Sequence, residues 1–131
     1  MSEQLTKNFK RSEFACKCGC GFDDIDLKLV NIIQIIRDEV GPIRISSGCR
    51  CEKRNAEVKG VKGSFHTKGK AADLISDKGS EYLDNTIQRL YNEGKLKGLK
   101  YCIRYIYKNF CHVDIGESSK RKSVFAISTK K

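Results

Sequence analysis

The stretch 27–40, LKLVNIIQIIRDEV, is the longest apolar-rich segment of the chain, and it limits what the remainder can build. Apolar residues at 29, 32, 33 and 36 keep the i, i+3, i+4, i+7 spacing of one helix face, and Leu27, Val30 and Ile35 widen that face. Asp23, Asp24 and Asp26 place negative charge at the positive end of the helix dipole, and Gly41-Pro42 ends the run. Lys28, Asn31 and Gln34 break it well short of the roughly 20 apolar residues of a membrane span. A helix this apolar on one side needs a covering layer, and only short elements follow it.

Those elements read mostly as strands. Residues 43–46 and 71–76 are short apolar runs, and Leu99, Tyr101, Ile103, Tyr105 and Tyr107 alternate with period two. Residues 110–115 form a further strand after a turn at Lys108-Asn109, and 124–127 reads as an edge strand. Ser80 is placed to cap a second helix over 81–92, with Leu83, Ile87, Leu90 and Tyr91 on one face and Gly94 after it. Residues 47–70 contain Gly48, Gly60, Gly63 and Gly69 and no clear periodicity; they read as a long functional loop with a helical turn near 52–58. This order predicts an α+β fold, a small antiparallel sheet with helices packed on one side. At 131 residues the expectation is one domain, 1–131, with 1–8 and 117–131 peripheral or flexible.

Lysine and arginine total 26 against 16 acidic residues, a net charge of +10 that favours polyanions: nucleic acid, anionic lipid or acidic cell-wall polymers. The basic residues are spread along the chain, aromatics are 8% and Trp is absent, so no specific nucleic-acid partner is expected. The opening MSEQLTKNFKRSEF lacks the apolar core of a secretory signal, so synthesis in the cytoplasm is expected. The seven cysteines then read as reduced thiols or metal ligands. Cys16-x-Cys18-x-Cys20 invites a structural zinc with Cys49 or Cys51. Thiolate sites usually use wider Cys-x2-4-Cys spacing, however, and the expectation is packed or solvent-facing thiols. Cys111 falls on the apolar side of its strand and reads as core.

The only two histidines lie in Ser64-Phe65-His66-Thr67-Lys68-Gly69-Lys70-Ala71-Ala72-Asp73 and Cys111-His112-Val113-Asp114. On a strand, His112 and Asp114 share one face, opposite Cys111 and Val113. Two imidazoles and a carboxylate, with a fourth position open to water, suit catalytic zinc, although on spacing alone a lone surface or core histidine is the commoner case.

The complete strings are more specific. Ser64-x-His66-x-x-Gly69-x-Ala71-x-Asp73 followed by Phe110-x-His112-x-Asp114 resembles the zinc D-Ala-D-Ala carboxypeptidase and L-Ala-D-Glu endopeptidase family of cell-wall peptidases. Ile45-Ser46-Ser47-Gly48-Cys49-Arg50 resembles that family's Ser-Gly-Tyr-Arg segment. Asn55, Val58 and Gly60, with the 14–21 stretch, resemble a compact branch that is often phage-encoded. The resemblance implies a hedgehog/D-Ala-D-Ala peptidase-like fold with the zinc site on the sheet. It implies one zinc per chain held by His66, Asp73 and His112. It gives Arg50 to substrate carboxylate or oxyanion, and Ser64 to substrate binding or to holding the loop. The implied function is zinc-dependent hydrolysis of amide bonds in the peptide part of bacterial peptidoglycan, acting on the wall as a phage lysis or virion-associated enzyme, with peptidoglycan as the partner and the chain a monomer. The alternative is a zinc-stabilised wall-binding module without catalysis. Three departures stand out. Cys49 replaces the family's Tyr, Trp is absent, and Asn109 occupies a position where many members carry the acidic base. Asp114 is then the expected base, or else a hydrogen-bond acceptor for a ligand histidine, with Glu52 and Glu57 as further candidates for the base.

Overall fold

The computed structural model describes residues 2–131. Helix α1 (Leu27–Val40) begins where the Asp26 carboxylate accepts the Lys28 N–H at 2.9 Å, and ends at Gly41, whose φ of 89° suits a residue without Cβ. Leu29, Val30, Ile32, Ile33, Ile36 and Val40 are buried, while Leu27, expected to widen the apolar face, is exposed at its first turn. Fully burying each such side chain contributes about 1.5–3 kcal/mol.

After β1 (Ile43–Ser47) the loop holds a short helix α2 (Glu52–Glu57) and a 3₁₀ turn, Phe65–Lys68. Then come β2 (Ala71–Ser76), helix α3 (Ser80–Asn92), β3 (Tyr101–Tyr105), β4 (Phe110–Asp114) and β5 (Phe125–Ser128). The five strands form one sheet in the order β1-β2-β4-β3-β5. The α+β class stands. The sheet is antiparallel across its first four strands, but β5 joins β3 in parallel, so the sheet is mixed. A parallel neighbour cannot follow through a tight hairpin. Here β5 pairs with the edge of β3 opposite β4, reached by way of the segment after Asp114.

Helices α1 and α3 pack on each other, and α3 lies against β2, β3 and β4. That face of the sheet carries Ala72, Leu74, Cys102, Cys111 and Val113, all fully buried. Cys111 is therefore core, and its thiol reaches the Ser80 carbonyl at 3.6 Å. The aromatic alternation of β3 points the other way: Tyr101, Ile103 and Tyr105 line a cleft on the opposite face, and Cys102 takes the core side. Ser80 is the first residue of α3 rather than its cap. The Ser80 N–H donates instead to the Asn109 Oδ1 at 2.9 Å, from the β3–β4 turn. The expected periphery is tied in at both ends. The Asn8 N–H and the Thr6 hydroxyl donate to Gln34 of α1, and the segment after 116 supplies β5.

Candidate metal centre

Strand register brings the two motifs together. In the β2–β4 pair, Asp73 lies directly across from His112, so both side chains rise from the cleft face of the sheet. His66 arrives from the 3₁₀ turn just before β2. The Ser64 hydroxyl accepts the His66 N–H at 3.2 Å, and Gly69 ends the turn with a φ of 68°. A Cβ at Gly69 would overlap the Asp24 carbonyl, so glycine is required here for space as well as for conformation. One ligand atom from each of His66, Asp73 and His112 lies within 4.8 Å of the others.

The partners of the two rings fix their protons. His66 Nδ1 is 2.7 Å from the Gly48 carbonyl, which can only accept, so Nδ1 carries the hydrogen. Nε2 is left with a lone pair, buried and without a hydrogen-bond partner, 3.3 Å from Asp73 Oδ1. His112 Nε2 donates to Asp114 Oδ2 at 2.6 Å, which turns the Nδ1 lone pair toward Asp73 Oδ1 at 3.1 Å. Two ring lone pairs thus converge on a carboxylate oxygen. A cation among them satisfies all three, and nitrogen-nitrogen-oxygen donors suit zinc. The residues present therefore fit the metal.

Without an ion, a proton on the His112 ring rather than a lone pair faces Asp73, and a cation would displace it. Burial opposes charge on Asp73, yet the neighbouring His112 and His66 hold its carboxyl well below the usual range. Burial likewise opposes protonation of His112, but Asp114 and Asp73 outweigh it and raise His112 to about 9.

Asp114 is fully buried and saturated. Its Oδ1 accepts the Arg121 Nη1 at 2.7 Å and the Gly116 N–H at 3.2 Å, and its Oδ2 accepts Arg121 Nη2 at 2.8 Å as well as His112. Arg121 also lies over the Tyr101 ring, 4.1 Å from its centroid, and near Phe65. Nothing in the spacing of the sequence pointed to Arg121; a return of the chain after β4 carries it there.

Arg50 is held on three sides. It donates to Ser47 Oγ at 3.0 Å, to Asn55 Oδ1 at 2.8 Å and to Asp73 Oδ2 at 3.4 Å. Of its five N–H groups, one on each terminal nitrogen remains for a further acceptor. Asn55 is buried and donates to the Val61 carbonyl, and a Cβ at Gly60 would overlap Asn55 and crowd Arg50. A bulge in β1, opposite the Leu74–Asp73 step, sets Ser47 across from Asp73.

Arg50, Ser64, His66, Asp73, His112 and Asp114 all line one cleft of about 690 Å³. Basic residues dominate the rest of its wall, among them Arg54, Lys59, Lys62, Lys108 and Lys120, and the remaining lining carboxylate is Glu117. Glu52, Glu57 and Asn109 are not among the lining residues.

Residues 7–114 match the protein family described as Peptidase M15. A search of curated proteins finds no match. Among the described residues no helix is long and apolar enough to cross a membrane.

Proposed function

The chain belongs to the Peptidase M15 family, and from that premise we propose that it hydrolyses amide bonds in the peptide part of bacterial peptidoglycan, as a zinc D-Ala-D-Ala carboxypeptidase or endopeptidase. The observation that carries this reading is the convergence of the His66 Nε2 and His112 Nδ1 lone pairs on Asp73 Oδ1. One zinc held there would polarise a scissile carbonyl and acidify water.

The chain's own residues do the rest. Arg50 keeps its guanidinium fixed against Asp73 and Asn55 and offers its two free N–H groups to a substrate carboxylate or to a developing oxyanion. Ser64 shapes the turn that carries His66. A cleft rich in lysine and arginine favours a substrate with carboxylates, which wall peptides have at their ends and side chains. The resemblance to compact, phage-encoded members supports a lysis or virion-associated setting.

Asp114 is our candidate for either of two roles, proton transfer or the orientation of His112. Its four accepted hydrogen bonds occupy the lone pairs of a carboxylate, and this favours orientation. Glu117, the remaining carboxylate of the cleft wall, which pairs with Lys100 at 3.1 Å, is then the candidate to test for proton transfer. In Asp114→Asn an orienting role predicts zinc affinity lower by ~10- to 100-fold with turnover surviving at saturating zinc. A base predicts lost turnover with zinc retained, and Glu117→Gln receives the same assay.

The decisive experiment is mass spectrometry of fragments released from purified peptidoglycan, with and without a chelator. Chelator-sensitive cleavage supports the peptidase and identifies the bond. Wall binding without cleavage favours a non-catalytic module, a reading motivated by Asn109, whose side chain serves α3 rather than the cleft.

A further inference from the structure

Four cysteines that the proposed chemistry does not use meet beside Arg50. We propose that Cys16, Cys18, Cys20 and Cys51 form a second, structural zinc site, a tetrathiolate that fastens the 15–22 loop to the segment carrying Arg50.

The four sulfurs lie within 4.8 Å of one another. Cys16–Cys18, Cys18–Cys51 and Cys16–Cys51 are separated by 3.4, 3.6 and 3.9 Å. Zinc–sulfur bonds of about 2.3 Å in a tetrahedron place sulfurs about 3.8 Å apart, so these separations are those of ligands on one ion. A disulfide would bring two sulfurs to about 2.05 Å, and all seven cysteines are free.

The spacing that argued against such a site is overcome by the shape of the loop. In extended chain, residues two apart on one face stand about 7 Å apart, too far for one small ion. Here Gly19 and Gly21 take φ of 80° and 92°, the Gly19 N–H returns to the Cys16 carbonyl at 3.2 Å, and the Cys16 N–H closes the loop on the Phe22 carbonyl at 2.8 Å. The turn folds all three loop sulfurs toward Cys51.

Backbone donors already face the sulfurs as they would face thiolates. The Cys51 N–H points at Cys16 Sγ and the Arg54 N–H at Cys51 Sγ, both at 3.4 Å. Cys49, next to Arg50 in the chain, stays outside the group. Cys51 follows Arg50 directly, so an ion on its sulfur would anchor the backbone from which the Arg50 guanidinium reaches Asp73.

The test uses the full chain, reduced and stripped of metal, then titrated with zinc or with cobalt(II). The expected result is about two ions per chain, with intense thiolate-to-cobalt charge-transfer absorption. Cys18→Ser combined with Cys20→Ser, both at exposed positions, should lose that absorption and one ion. His66→Ala should keep the absorption and lose the other ion, so failure of the tetrathiolate and failure of the peptidase site are read separately. In wild type, zinc should slow alkylation of Cys18 and Cys20 by ~10-fold or more. Absence of the charge-transfer band in wild type, or alkylation unaffected by zinc, would overturn the proposal.

Discussion

Arg121 grips both oxygens of Asp114, Asp114 grips His112, and His112 turns its free nitrogen to Asp73. Cutting the first grip should loosen the last. Arg121→Ala is expected to weaken zinc binding by ~10- to 100-fold with the fold intact, read by competition with a chromogenic chelator and by circular dichroism. Arg121→Lys should restore little of it, because an ammonium cannot hold both oxygens in the planar, bidentate manner of a guanidinium. Gly48 is a second residue with leverage on the site. A Cβ there would stand 2.7 Å from the Phe14 carbonyl oxygen and 2.8 Å from its Cα, so backbone must move. The Gly48 carbonyl also holds the His66 Nδ1 proton. Gly48→Ala should therefore lower stability by about 1–3 kcal/mol and zinc affinity together, measured by denaturant melts and by the same competition.

Among the elements, α1 was readable from its spacing because one apolar stripe meets one layer and nothing competes with it. Ile33→Ala, at a fully buried position of that stripe, should cost about 2–5 kcal/mol in urea unfolding. The β3 alternation was readable as a strand but not as to which face is core, since period two is blind to the identity of the covering layer. The row of Tyr101, Ile103 and Tyr105 is cleft wall. The start of α3 was legible only to within a residue. Its capping oxygen belongs to Asn109, which is 29 residues away in sequence, and no local pattern reports that. With a φ of 53°, Asn109 combines a left-handed turn with a cap. Asn109→Ala should cost about 1 kcal/mol and leave turnover per folded molecule unchanged, checked by unfolding and by active-site-normalised kinetics.

At the scale of the whole molecule, the net charge of +10 and the basic cleft act over distances that added salt shortens. Binding to isolated peptidoglycan should fall steeply between ~0.05 and ~0.5 M salt, in a pull-down assay, while the zinc content of the protein stays constant. The candidate metal-binding residues were legible because the chain has only two histidines and each sits in a specific string. Arg121 and the embedding of Arg50 were not, because the turn after β4, the bulge in β1 and the short helix α2 set them. The parallel β5 was missed for the same reason: strand direction is decided by the connection rather than by the strand. The facing of Asp73 and His112 across β2 and β4 also bears on how the molecule assembles. The two are 39 residues apart, and a slip of one residue would send His112 to the opposite face. A chain with its strands unpaired or misaligned has no such site, so ion capture becomes a timer for the closing of the central strand pair. In stopped-flow refolding, its rate should become independent of zinc concentration once zinc is abundant, and should equal the rate at which that pair locks.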